Sequence, residues 1–294
     1  MKAHAKINLS LKIVGRRPDG LHDIETIVQT ISLHDTLTLE SRDEGLSLQV
    51  DDSAIPSGPD NLAWRAAAAL PAPRRAPRGA HLRIQKGIPA GAGLGGGSSD
   101  AAATLIGLRS LWGLDLPERE LETIAATLGA DVPFFLHGGT ALLTGTGTVV
   151  DPLEDALGYQ ILLAFPGVPL ATREVYALAS ASLTSSLKIS SMARFRHTLQ
   201  GGLPREVEMW VRAGNDLEPF ARSLCPPIAE ILDRLRTAGA TAASMTGSGS
   251  AVFGIFRDTA ALGRALASVG ASGHAAVRCV PVGRMEYRRH AGLL

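Results

Sequence analysis

The sequence predicts an α+β protein of two domains, 1–149 and 150–294. Three observations carry that prediction. Apolar Ala5, Ile7, Leu9, Leu11 and Ile13 alternate with polar Lys6, Asn8, Ser10 and Lys12, the period of a half-buried strand with one polar face. A strand over 80–86 runs through a glycine-rich loop, 87–97, into an alanine-rich helix from about Ser98 to Trp112. The second half reads helix, strand, strand, helix, strand, the order of a two-layer sandwich. At about 150 residues per domain, 294 residues agree with two.

The remaining elements follow in order. Arg17-Pro18-Asp19-Gly20 is a turn, with Pro and Gly where a turn needs them. Segments 24–33, 36–41 and 46–50 read as strands and 61–70 as a helix. Pro71 to Gly79, rich in proline and arginine, is a surface connection. A helix starts at Pro117 and stops before Gly129. In the second half, strand 159–165 leads to a helix near 172–181, and the polar stretch 182–205 gives no firm reading. Helices over 206–213 and 226–238 precede strand 240–246, a glycine turn at 247–249, strand 251–256, helix 258–269 and strand 275–282.

Composition narrows the function. With 45% hydrophobic and 19% charged residues the chain is not disordered. A net charge of +1 leaves no electrostatic footprint for nucleic acid or a membrane surface. No secretory signal follows the initial lysines and no window holds 18 apolar residues, so a soluble cytoplasmic protein is expected, a monomer or weak homodimer. Cys225 and Cys279 have no metal or disulfide-framework spacing and read as buried thiols, with one bridge between them conceivable. No His/Cys/Asp/Glu cluster has metal-ligand spacing.

The loop Gly87 to Gly97 carries the chemistry. Glycines let a ligand touch backbone amides, Ser98 or Ser99 can cap the following helix, and the helix start adds partial positive charge. Together they make a phosphate cradle. Gly91, Gly93 and Gly96 match GxGxxG, but no acid closes a second strand about 20 residues on, since Asp115 sits between helices. No lysine stands in the Walker position, and a protein-kinase loop leads into a strand instead of a helix. What remains is a loop that holds a nucleotide triphosphate without the Walker lysine.

Pro89-x-Gly91-x-Gly93-Leu94-Gly95-Gly96-Gly97-Ser98-Ser99 resembles the central motif of the GHMP kinases. Ala5-Lys6-Ile7-Asn8-Leu9 and Met245-Thr246-Gly247-Ser248-Gly249-Ser250 resemble the family's first and third motifs, in the right order. Gly15 to His22, Gly129-Ala130-Asp131-Val132-Pro133 and Asn215-Asp216-Leu217-Glu218 are similar to a branch that phosphorylates a cytidine-diphosphate-linked sugar alcohol for isoprenoid synthesis. The resemblance covers nearly the whole chain. It implies a two-domain GHMP-kinase fold, with an N-terminal domain like ribosomal protein S5 domain 2 and a ferredoxin-like α/β sandwich at the C-terminus. The active site would lie in the cleft between them.

The resemblance also implies roles. Asp131 would take the proton of the substrate hydroxyl, and Lys6 would orient Asp131 and stabilise the transferring phosphoryl. ATP, with Mg2+, would be held by Asn61, Lys86 and the loop residues Pro89, Ala90, Gly91, Ala92, Gly93, Leu94, Gly95, Gly96, Gly97, Ser98 and Ser99. The acceptor would be held by Asn8, His22, Tyr176, Gly247, Ser248 and Gly249. Several have a plainer alternative: a solvated edge lysine at Lys6, an N-cap at Asp131, capping or surface roles at Asn61 and Lys86, a structural or surface histidine at His22, and core packing at Tyr176. The chain departs from the family at three positions: His4 for Pro, Leu21 for Tyr, and Asp100 for a frequent Asn. Alternatives in function are another GHMP kinase, such as homoserine or mevalonate kinase, and a nucleotide-binding regulatory protein without catalysis.

Overall fold

The computed structural model describes residues 1–71, 79–183 and 206–293. Most of the expected surface connection 71–79, and of the stretch 182–205, lies outside them. Strand β1 (Lys2–Arg16) and strand β2 (His22–Arg42) form one long antiparallel hairpin around the Arg17–Gly20 turn. The break expected near residues 34–35 is absent, and β2 runs unbroken through His34 and Asp35. Its length lets it serve three partners: β1, β4 (Gly79–Gln85) and β5 (Thr140–Thr144), all antiparallel. β3 (Leu46–Val50) adds in parallel to β4, and β6 (Val149–Pro152) adds antiparallel to β5. This six-stranded sheet therefore reaches Pro152 along the chain.

Helices α1 (Leu62–Ala69), α2 (Gly96–Leu111), α3 (Glu118–Leu128) and the short α4 (Phe134–His137) complete the first layer. Ala101, Ala102, Leu105 and Leu108 of α2 are buried in the core of this layer, small or not β-branched residues that suit a buried helix.

The second sheet is antiparallel in the order β10-β7-β9-β8, from β7 (Gln160–Phe165), β8 (Ala242–Met245), β9 (Val252–Phe256) and β10 (Ala275–Cys279). Helices α5 (Thr172–Leu183), α6 (Val207–Ala213), α7 (Glu218–Leu224), α8 (Pro227–Thr237) and α9 (Thr259–Ala271) accompany it. This is a ferredoxin-like βαββαβ pattern with extra helices in the first crossover. The last helix, α10 (Arg284–His290), returns to the first domain, where Tyr287 is buried beside Phe134 and Phe135 and its hydroxyl donates to the Phe135 carbonyl.

One hydrophobic cluster joins the two layers. Ala5, Ile7 and Leu9 of β1 pack there with Ile161, Leu163, Trp210 and Phe253. The opposite face of β1 is also buried: Lys6 and Asn8 are each 4% exposed and Ser10 is 3% exposed. The expectation of a half-buried strand is thus corrected. The alternation is real, but the polar face points into a cleft wall instead of solvent. Cys225 and Cys279 are buried and unbridged.

Because Tyr287 ties the returning helix to the first core, Tyr287→Ala should destabilise the protein by about 3–5 kcal/mol. The check is the urea midpoint, which should fall with an unchanged slope.

Candidate active site

A cleft of about 1510 Å³ opens between the layers. Single small-molecule pockets span about 300–1,000 Å³, so it has room for two nucleotide-sized ligands. Its walls are the start of β1 and β2, the glycine loop, the Ala130-Asp131 turn, the first turns of α5 and the Gly247-Ser248 turn.

Lys6 sits where β1 bulges on either side, with register shifts between His4 and Lys6 and between Asn8 and Ser10. Its ammonium donates to Asn8 Oδ1 at 2.7 Å and lies 3.4 Å from Asp131 Oδ2. The Lys6 side chain is buried and that of Asp131 is about one-third exposed to the cleft. Lys6 is therefore no solvated edge residue. Asp131 does not cap α4 either, because Pro133 holds the N-cap place and no side chain caps it. Asn8 Nδ2 donates to Thr26 Oγ1 at 2.8 Å, and the Asn8 amide donates to Thr246 Oγ1 at 3.0 Å. These bonds tie β1 to β2 and to the second domain.

The glycine loop lies along β1, with the Lys6 amide donating to the Leu94 carbonyl at 3.0 Å. Gly93 has φ +77°, and a Cβ on it would stand 2.5 Å from the Thr246 carbonyl, so only glycine lets the loop touch the second domain. Gly95, at φ +72°, is the N-cap of α2, which starts two residues earlier than expected. Ser98 and Ser99 therefore do not cap the helix. Ser98 lines the cleft, whereas Ser99 is fully buried, is not among the residues that line it and leaves its Oγ without a partner among the described residues. With no side-chain cap, the first-turn amides of α2 remain available to an anion.

Of the other expected residues, Asn61 both lines the cleft and caps α1, accepting from Ala63 N at 2.8 Å. Pro89, Ala90, Gly91, Ala92, Leu94, Gly96, Gly97, Gly247 and Ser248 line the cleft, and Gly249 does not. His22 and Tyr176 meet at the far end, rings 5.3 Å apart, with Leu21 exposed beside them. Burial, reinforced by the charge of Asp131, pushes the Tyr176 phenol up to about 12.

Lys86 is engaged by two buried carboxylates, Asp35 and, at 2.8 Å, Asp100. Asp35 also accepts from the amides of Gly87 and Ile88, at 2.6 and 2.8 Å, and so holds the entry of the loop. Burial pushes Lys86 down, but Asp100 and Asp35 outweigh it and the net direction is up. Burial pushes the Asp100 carboxyl up to about 7, with Lys86 pulling it down and Asp35 adding to the rise.

Sequence reasoning missed Asp35 and Thr26, because a single Asp or Thr inside a strand pattern gives no signal of what it faces, and it quoted Thr246 within the third motif without a role. It also singled out Asn215-Asp216-Leu217-Glu218 without a role. These residues form a clasp. Asn215 Nδ2 donates to the carbonyls of Met245 and Gly247, Asp216 accepts from Lys12 Nζ and Ile13 N, and Glu218 accepts from Met245 N.

The fold and the glycine cradle define a kinase of the GHMP type, and the family models agree. "GHMP kinases N terminal domain" matches residues 61–139 and "GHMP kinases C terminal" matches residues 202–275. A relative from Solibacter usitatus (strain Ellin6076), 4-diphosphocytidyl-2-C-methyl-D-erythritol kinase, is 40% identical over 98% of this chain and 90% of its own. The enzyme of that name from Geobacter sulfurreducens is 41% identical over 90% and 92%. A crystal structure of 4-(cytidine 5'-diphospho)-2C-methyl-D-erythritol kinase superposes with a TM-score of 0.74 at 34% identity, covering 96% of this chain and 99% of that one. A mevalonate kinase structure shares the fold at a TM-score of 0.73 and 14% identity, covering 96% and 99%. The chain belongs to the 4-diphosphocytidyl-2-C-methyl-D-erythritol kinase family of the GHMP kinases.

The raised Asp100 carboxyl predicts a pH dependence. An acid whose folded value exceeds its unfolded 3.8 binds more protons in the folded state, so stability falls as pH rises from about 4 to about 7. Asp100→Asn should flatten that fall. Urea midpoints at about pH 4.5 and about pH 7.5 provide the check, and parallel profiles for the two proteins would contradict it.

Proposed function

We propose that this chain transfers the γ-phosphoryl group of ATP to the 2-hydroxyl of 4-diphosphocytidyl-2-C-methyl-D-erythritol, giving ADP and the 2-phosphate in the non-mevalonate route to isoprenoid precursors. The observation that carries the reading is the Lys6–Asp131 pair, 3.4 Å apart, between the glycine cradle on one side and the His22–Tyr176 pair on the other. A phosphate chain on the cradle and a base at His22 would bring donor and acceptor together at Asp131.

In this reading Asp131 accepts the proton of the attacking hydroxyl, and its partly open carboxylate is within reach of a substrate. Lys6, oriented by Asn8, holds Asp131 in place and presents positive charge to the transferring phosphoryl. The loop amides and the uncapped start of α2 fit the phosphates of ATP. Among the described residues no group of three His, Cys, Asp or Glu side chains could hold a metal ion. The Mg2+ of the reaction would come with ATP, bound chiefly by phosphates and water, and Ser98 is the serine of the loop–helix junction that lines the cleft. When bound, the ion neutralises phosphate charge. We take the protein to be a monomer or weak homodimer. No helix of the described residues is long and apolar enough to cross a membrane, and we place the protein in the cytoplasm.

Nothing in the cleft favours homoserine or mevalonate as acceptor, since neither carries a base to meet Tyr176. A coupled assay of ADP release with the cytidine compound, mevalonate and homoserine tests the reading. Turnover with the first alone is expected, and turnover with either of the others alone would overturn it.

Asp131→Ala should lower kcat by about 10²–10⁴-fold while leaving the ATP dissociation constant near that of the wild type. Single-turnover kinetics with calorimetry would measure both. Tyr176→Ala should weaken the cytidine compound by about 1–3 kcal/mol without changing ATP affinity. Leu21→Tyr, which supplies a second aromatic face, should tighten it by about 1 kcal/mol with little change in kcat. Calorimetric titration of both variants checks this pair.

A further inference from the structure

Ser180 lies on α5 one turn beyond Tyr176 and touches His22. Its Oγ donates to the Tyr176 carbonyl at 2.8 Å, and the same Oγ is 2.8 Å from His22 Nε2. A serine hydroxyl has one hydrogen. With that hydrogen on the Tyr176 carbonyl, Oγ meets His22 through a lone pair, so Nε2 carries the imidazole hydrogen. The opposite tautomer would force the hydroxyl to leave the carbonyl, and one bond would be lost.

The consequence falls on the other nitrogen. In a neutral imidazole with hydrogen on Nε2, Nδ1 is an acceptor. Burial, with the nearby charge of Arg16, pushes the His22 imidazole below the usual histidine range, in the direction of the neutral ring. His22 lines the cleft, and no described residue is hydrogen-bonded to its Nδ1.

We propose that Ser180 is a positioning residue that sets the tautomer of His22, so that the site accepts a base with an amino group at position 4 and rejects one with a carbonyl oxygen there. Cytosine offers that amino donor, and uracil offers an acceptor that would face the Nδ1 lone pair. The inference rests on the reading above that His22 meets the base of the acceptor. It adds a determinant of base choice outside the family motifs, on a helix that carries none of the glycine or catalytic signatures.

The test compares wild type and Ser180→Ala with two acceptors, the cytidine compound and its uridine-diphosphate counterpart. Long-range ¹H–¹⁵N spectra of His22 read the tautomer independently. The wild type should show hydrogen on Nε2 and prefer the cytidine compound by roughly 10- to 100-fold in kcat/KM. Ser180→Ala should show mixed tautomers and a roughly 3- to 10-fold higher KM for the cytidine compound. Its kcat should change by less than about twofold, and its preference over the uridine compound should narrow. A hydroxyl that only packs would not alter base preference. Hydrogen on Nδ1 in the wild type, or an undiminished preference in the variant, overturns the inference alone. If the wild type turns over neither acceptor, the proposed function has failed and the inference falls with it.

Discussion

The buried polar face of β1 is the constraint on which the cleft depends. Burying an ammonium such as that of Lys6 is unfavourable unless it is paired and hydrogen-bonded. Here Asn8 and Asp131 supply both conditions, and Asn8 is in turn fastened by Thr26 and Thr246. The lysine can stay buried only while the strand, the Asp131 turn and the second domain keep their places. The apolar face of the same strand carries Ala5, Ile7 and Leu9 into the seam between the layers. One strand therefore holds the two domains together and sets the position of the charged pair.

The second domain is bound to that strand as well as packed on it. The Leu11 amide donates to Gly214, the Asp216 amide donates to Leu11, and the Asp216 carboxylate takes Lys12 and the Ile13 amide. Asn215 then holds the carbonyls on both sides of Thr246. Thr246 reaches Asn8 through its hydroxyl, and its carbonyl is where a Cβ on Gly93 would collide. A change at Asn215 would thus be felt at the glycine loop through the Thr246 turn, without any contact to a ligand.

Much of this was legible in the sequence, and the misses have physical reasons. Strand periodicity marked β1, and the run of glycines marked the loop that lines the cleft, because both are local patterns. Burial of Lys6, Asn8 and Ser10 was hidden, since alternation alone cannot tell a face turned to water from one turned to another domain. The continuity of β2 was missed at His34-Asp35, a polar pair that reads as a turn; Asp35 is buried because Lys86 and two loop amides satisfy it. The Ser98-Ser99 pair looked like a cap, but Gly95 can enter the left-handed region and starts the helix earlier. Helix α10 went unseen because its sequence is mostly basic and a single residue, Tyr287, is buried.

The most direct measurement of the central claim is a double-mutant cycle on Lys6 and Asp131, with kcat determined for Lys6→Ala, Asp131→Ala and the double variant. If the strand holds the two as one unit, the double variant should be little worse than the poorer single one, since groups that act together are strongly non-additive. Losses that multiply would mean that the two side chains act independently, and the account of β1 as the element that sets the site would be contradicted.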